Sequence, residues 1–381
     1  MSLITLNKKQ VAELVNDATK ELVGETSVLQ EDLSNVVDLG IAIENANAYK
    51  NFLENLLVRI GKSEYIARPY TATTPKVYRD AFEYGQITQR VTSDIDEAVD
   101  NQSWEIVDGG SYDDNQFVAN SVRTKLFMKD TTYEIRKSIT NKQIKNAFTS
   151  AEELGSFVSM ILTNVQNSLE VKNESLTLMT IANAMGELIN GGKAINLFGL
   201  FKTAFPSTSL TYTNCMYDKT FLQFCADVMM EYSDNLTKMT SLYNLGGKKT
   251  FTPKEKQHFV LLSEFARKFD TFLESDTFHN ELVKLPLYEK VTCWQGMGTA
   301  GAFADKSKIN IKTSAGNEVV ASGIVGCIFD DLALGITNYG EEVETHYVKS
   351  AQFTNYWFKR EASYFNDLDM NFVVFYIGAV V

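Results

Sequence analysis

Between Lys62 and about Arg123 the chain runs for roughly sixty residues without a sustained hydrophobic period. Compact domains join their elements with loops of a few residues, so a stretch this long is not an ordinary connector. It holds Pro69, Pro75 and the pair Gly109-Gly110, and it carries Asp94, Asp96, Glu97, Asp100, Asp108, Asp113 and Asp114. Short β-like pieces, Gln86–Val91 and Trp104–Val107, interrupt it. Two states fit such a segment: disorder, or a projecting β-rich arm that packs on something else. Disordered tracts are poor in aromatics. This one embeds Tyr78, Phe82, Tyr84, Trp104 and Phe117, which favours the arm.

The flanking segments are more regular. Asn7 is placed to cap a helix in which Val11, Leu14, Val15, Ala18 and Leu22 share one face. A second amphipathic helix carries Tyr49, Phe52, Leu53, Leu56, Leu57 and Ile60 and stops at Gly61. After the arm, Lys125–Thr140 is strand-like with partial alternation. Ser150 and Glu153 then form a capping-box pattern ahead of an apolar stripe, Leu154, Phe157, Val158, Ile161, Leu162, Val165 and Leu169. This predicts a helix from Ala151 to about Val171, an elbow near Lys172–Asn173, and a second helical stretch from Ser175 to Ile189 closed by Gly191-Gly192. Beyond it, helices are expected at Asp218–Tyr232 and Glu264–Leu273, and strands at His258–Leu262, Val291–Trp294, Val319–Phe329 and Asn371–Ile377. Helices and strands mix without a βαβ rhythm, so the expected class is α+β.

The 381 residues suffice for two or three compact units and a large core. With 36 Lys+Arg against 48 Asp+Glu the net charge is −12, which argues against a broad basic surface for gripping phosphates. Cys215, Cys225, Cys293 and Cys327 form no C-x-x-C pair, and the expectation is buried, reduced thiols. The N-terminus lacks the basic-then-apolar order of a signal peptide, and no window reaches ~18 apolar residues, so no membrane span is expected.

Motifs that would carry chemistry are fragmentary. Gly61-Lys62-Ser63 has the end of a phosphate-binding loop, but Leu56 stands where its first glycine belongs and a helix precedes it. Leu245-Gly246-Gly247-Lys248-Lys249-Thr250 fails in the same way and reads as a flexible turn. Asp94, Asp96, Asp100 and Glu105 occupy calcium-loop positions, yet Ala98 and Val99 stand at a ligand site and at the turn glycine. Asp330-Asp331 and the pair Asp367, Asp369 are candidate acid–base carboxylates or, on the simpler account, hydrogen-bonded turn acids that bound strands. His258, His279 and His346 are scattered, and no catalytic or metal signature includes them.

The order of segments is more telling than any motif. AFEYGQITQRV (81–91) looks like the start of an extended hairpin, and KSITNKQIKNAFTSAEELGSFVSMILTNVQNSLE (137–170) resembles a strand leading into a spine helix. DNLTKMTSLYN (234–244) and HFVLLSEFARKFDTFL (258–273) resemble axial-domain stretches. IVGCIFDDLALGI (324–336) and YWFKREASYFNDLDMNFVVFYIG (356–378) look like strands that return the chain to the peripheral domain. Together they resemble the major capsid proteins of tailed double-stranded DNA bacteriophages with the Hong Kong 97-type fold.

That resemblance implies an N-terminal arm (1–40), a helix leading into the extended hairpin or E-loop (41–61), and the E-loop itself (62–124). It further implies a peripheral domain with its spine helix (125–190), an axial domain (191–320) and return strands (321–381). The implied function is a non-enzymatic shell subunit that assembles as pentamers and hexamers into an icosahedral head around double-stranded DNA, without sequence-specific DNA binding. No cofactor is implied. A separate scaffolding protein and a portal are, with assembly in the host bacterial cytoplasm and a final place in the virion. Candidate inter-subunit contacts are Tyr78, Phe82, Tyr84, Trp104 and Phe117 in the E-loop, with Val11, Leu14 and Val15 in the arm. A nanocompartment shell enclosing cargo enzymes is the nearer alternative. The farther one is a cytosolic α+β enzyme using Asp330, Asp331, Asp367 and His346.

Overall fold

A computed structural model describes residues 8–23, 28–45, 51–52, 55–56, 78–79, 88–93, 95, 98, 103, 105–111, 117, 122–127, 130–273, 288–295 and 302–378. In chain order the elements begin with α1 (Lys8–Val23), α2 (Val36–Asn45), β1 (Tyr78–Arg79), β2 (Thr88–Ser93), β3 (Val122–Phe127) and β4 (Asp130–Thr140). Then come α3 (Asn141–Ala147), α4 (Ala151–Asn190), β5 (Ile195–Asn196), α5 (Leu197–Ala204), α6 (Lys219–Asn235), β6 (Gln257–Leu262) and α7 (Ser263–Leu273). The chain ends with β7 (Glu289–Val291), α8 (Phe303–Lys306), β8 (Ile309–Lys312), β9 (Glu318–Ala321), β10 (Ile324–Asp330), β11 (Leu334–Val348), β12 (Phe353–Asn366) and β13 (Phe372–Tyr376). The class is α+β, as the sequence predicts.

Among the described residues the strands form a four-stranded sheet (β1-β11-β12-β4), a five-stranded sheet (β5-β13-β10-β6-β7) and the two-stranded ribbons β2-β3 and β8-β9. β10 sits between β13 and β6, and all seven of its residues are buried. Around it gathers the larger core, which takes Phe221 and Met229 from α6, Phe265 and Phe269 from α7, and Met185 and Leu188 from α4. A second core joins Val11, Val15 and Ala18 of α1, Leu39 and Ile43 of α2, Phe52, Leu56, and Tyr356 and Phe358 of β12.

Two long elements serve both cores. Helix α4 is unbroken over 40 residues, about 60 Å at 1.5 Å per residue. Leu154 to Leu169 face the second core, and Leu176 to Leu188 face the first. The predicted elbow at Lys172–Asn173 is therefore absent, and the change from one core to the other falls inside the helix. Asparagine is a poor helix former because its side chain competes for backbone hydrogen bonds. Here Asn173 is buried and its Oδ1 accepts from the Tyr133 hydroxyl at 3.2 Å, so a tertiary partner engages that side chain. Strand β12 repeats the pattern, with Tyr356 and Phe358 in one core and Ala362 in the other.

Other differences have local causes. The strand-like run Lys125–Thr140 is two strands in two sheets, β3 and β4. Val319–Phe329 splits at Gly323, whose φ of +81° and contact with the Ile377 carbonyl suit only glycine. The strand placed at Val291–Trp294 instead ends at Val291, and residues 105–107 of the expected piece Trp104–Val107 are not in a strand. α2 spans the expected boundary at residue 40, where a Cβ on Gly40 would lie 2.6 Å from Phe148 Cβ. Helix α1 and strands β6 and β13 lie where expected. All four cysteines are free and buried, and burial pushes the Cys215 thiol up to about 12.

Candidate assembly ribbon and its anchor

Strands β2 and β3 pair antiparallel, Thr88 opposite Phe127 through Ser93 opposite Val122. Directly opposed residues share a face, and successive residues alternate between faces. One face of the ribbon therefore carries Arg90, Lys125 and Phe127. The other carries Val91, Val122 and Leu126, each more than half exposed.

Arg90 stands directly opposite Lys125, and like charges in that relation repel. The turn between β12 and β13 supplies the opposite charge. The Arg90 guanidinium pairs with Asp367, whose side chain is 1% exposed. Lys125 Nζ lies 2.9 Å from Asp367 Oδ1 and 2.6 Å from Asp369 Oδ2. Burial alone would lower the Lys125 ammonium, but its hydrogen bonds to Asp369 and Asp367 outweigh that and raise its pKa above the ordinary lysine value. Next to the charges, the Phe127 ring stacks on Phe365 at 4.4 Å between centroids, and the Arg90 guanidinium lies 5.9 and 5.8 Å from the two rings.

The turn is itself held. Asp367 Oδ1 accepts the Asp369 amide at 3.1 Å, and the Asp367 amide donates to the Ala333 carbonyl at 2.6 Å. The amides of Leu245 and Gly246 both donate to the Leu368 carbonyl, at 3.0 and 2.9 Å. The glycine-rich loop read as a flexible turn is thus a cradle for the carboxylate turn. Removing one partner from a buried ion pair costs about 3–5 kcal/mol, because an uncompensated charge remains.

The predicted contact residues fall in different places. Phe117 is 90% exposed. Tyr78 contributes its backbone to β1, opposite Ile336 of β11, and its side chain lies outside the described residues. Phe82, Tyr84 and Trp104 also lie outside them, as does the side chain of Leu14. Val11 and Val15 are 1% and 0% exposed, packed inside the second core of their own chain.

The acid–base candidates are turn acids. Asp330 accepts from the Thr252 hydroxyl and the Leu332 amide, both at 2.7 Å. Asp331 lies 3.3 Å from His258 Nε2. His346 is twelve residues along β11 from Leu334, about 40 Å at ~3.3 Å per residue, so it does not join these carboxylates. Among the described residues no three His, Cys, Asp or Glu gather as metal ligands, and no helix is long and apolar enough to cross a membrane. Gly61-Lys62-Ser63 and Asp94, Asp96 and Asp100 lie outside the described residues, and Glu105 is exposed. Sequence reasoning missed Arg90 and Lys125, because their partners are 277 and 242 residues away.

No curated protein matches the chain. The capsid structure of Staphylococcus phage Andhra is 9% identical, covering 82% of this chain and 88% of that one, with a TM-score of 0.49. The structure of head fiber and inner core protein gp22 of native bacteriophage P68 is 10% identical over 79% and 83%, also at 0.49. The capsid structure of the cyanophage P-SCSP1u is 10% identical over 80% and 87%, at 0.45. Likenesses this distant carry no argument of their own. The family model for the Phi29-like phage major capsid protein matches residues 12–376, nearly the whole chain. Membership implies self-assembly into a shell, a structural role and a place in the virion. The chain belongs to the Phi29-like phage major capsid protein family.

Proposed function

We propose that this subunit has the Hong Kong 97-type fold and assembles as pentamers and hexamers into an icosahedral head around double-stranded DNA. The 62–124 segment serves as the extended E-loop, and the 1–40 segment as the N-terminal arm. Residues 125–190 form the peripheral domain with its spine, residues 191–320 the axial domain, and residues 321–381 the return strands. A separate scaffolding protein and a portal take part, and assembly proceeds in the host cytoplasm. DNA is held by confinement, which suits a subunit of net charge −12. The subunit carries out no catalysis.

One observation carries this reading. The β2–β3 ribbon is fixed to its own chain by one face and presents Val91, Val122 and Leu126 to solvent on the other. Ile95, Ile106, Val107 and Phe117, between the two strands, are likewise exposed. Exposed apolar residues in such number mark an interaction surface. In a shell protein the partner is a second copy, through heterologous contacts that close by symmetry.

Electron microscopy of the expressed protein, alone and with the phage's scaffolding protein, tests it. Closed shells with five-fold vertices are the expected result. Small monodisperse particles under every condition, scaffold included, would overturn it.

A further inference from the structure

We propose that Arg90, Lys125, Asp367 and Asp369 form a clasp that sets the direction in which the ribbon leaves the body. The ribbon and the β12–β13 turn then move as one unit. The proposal rests on the shell reading only where shell diameter is the readout.

A two-stranded hairpin is marginal by itself in water and takes its order from what it packs on. Among the described residues the contacts that hold it to the body include one stacked ring pair and four charges. A ring pair holds a ribbon close but permits sliding and rotation. Charge-assisted hydrogen bonds are directional, and Lys125 bridging two carboxylates while Arg90 holds one of them fixes both position and angle. Buried ion pairs contribute little net stability compared with apolar replacements, and in this clasp their role is to select one arrangement of the ribbon among several. The opposed cations make the arrangement conditional, since Arg90 and Lys125 repel each other wherever the carboxylates are missing.

The base of the clasp is rigid. Asp367 is tied to Ala333, at the start of β11, and the Leu368 carbonyl is held by the 245–246 loop. β11 and β12 run on from this point for 15 and 14 residues to the second core. A change in the angle of the four-stranded sheet would therefore be passed to the ribbon through the clasp.

The test is hydrogen exchange on the unassembled full-length subunit, followed by the diameter of assembled particles. In Arg90→Met/Lys125→Met, the amides of 88–93 and 122–127 are expected to exchange about tenfold faster or more, and by a larger factor than those of the five-stranded sheet. Particles from this variant should vary in diameter. Lys125→Arg keeps the charge and should behave as the parent protein. A fourfold variant, with Asp367→Asn and Asp369→Asn added, removes the stranded carboxylates. It should regain the parent's thermal midpoint but neither ribbon protection nor uniform diameter. Parent-like ribbon protection in the double variant would overturn the proposal, and so would full recovery of protection in the fourfold one. If the parent itself forms no shells, the shell reading fails while the exchange data still decide on the clasp.

Discussion

Gly246 lies against Asp369 so closely that a Cβ built on it would sit 2.7 Å from the carboxylate carbon and overlap the Oδ1 oxygen. The glycine is thus part of the ion cluster without carrying charge. Gly246→Ala is expected to displace Asp369 from Lys125 and to lower stability by about 1–3 kcal/mol, the usual cost of overpacking. Denaturant unfolding of the purified subunit measures it. The distinguishing outcome is faster exchange at 122–127, which an unrelated packing defect would not produce.

Much of the framework was legible in the sequence because it rests on local pattern. The stripe Leu154 to Leu169 and the cap Ser150, whose Oγ accepts the Glu153 amide at 3.2 Å, place the start and first half of α4 correctly. What failed was the reading of places where distant groups decide the outcome. Asn173 reads as an elbow until the Tyr133 hydroxyl, forty residues away, is known to meet it. Asp367 and Asp369 read as paired carboxylates, but nothing near them in sequence announces Arg90 and Lys125. α2 was missed because Gly40 and its β-branched neighbours argue against a helix, while contact with Phe148 is what requires the glycine.

Continuity of α4 is directly testable at Lys172, an exposed position. An elbow would accept proline there. A helix interior would not, since proline removes a hydrogen bond and clashes with the preceding turn, at about 3 kcal/mol or more. Lys172→Pro is expected to lose at least that much, with a drop in the helical circular dichroism signal. Lys172→Ala gives up only a cation at 5.7 Å from the Tyr133 ring and should stay close to the parent protein.

Gly186 marks the crossing of α4 with β8, where a Cβ would overlap Cδ1 and Cγ1 of Ile311. Alanine is favoured over glycine within a helix by about 1 kcal/mol, whereas overpacking costs about 1–3 kcal/mol, so Gly186→Ala is expected to be net destabilising. Ile311→Ala opens the space that the new methyl needs. The double variant should therefore be less destabilised than the sum of the two singles, with a coupling of about 1 kcal/mol or more. Simple additivity in urea unfolding would show that the two sites do not meet.

His258 of β6 stacks on Phe329 at 5.2 Å and has a carboxylate at each ring nitrogen, Glu289 at 3.6 Å from Nδ1 and Asp331 at 3.3 Å from Nε2. Glu289 is the larger cause of a pKa raised above 6.5, desolvation opposes it, and Asp331 adds to it. Lys256, 4.0 Å from the Asp331 carboxylate, is the nearby cation. A histidine whose folded pKa exceeds its unfolded value binds its proton more tightly when folded, so it stabilises the protein below the unfolded pKa. That contribution is lost as pH rises through the folded pKa. Thermal midpoints of the parent and His258→Gln, compared between about pH 5 and pH 9, should differ most at the acid end and converge at the alkaline end. A constant difference across that range would mean that His258 acts by packing on Phe329 and not through its charge.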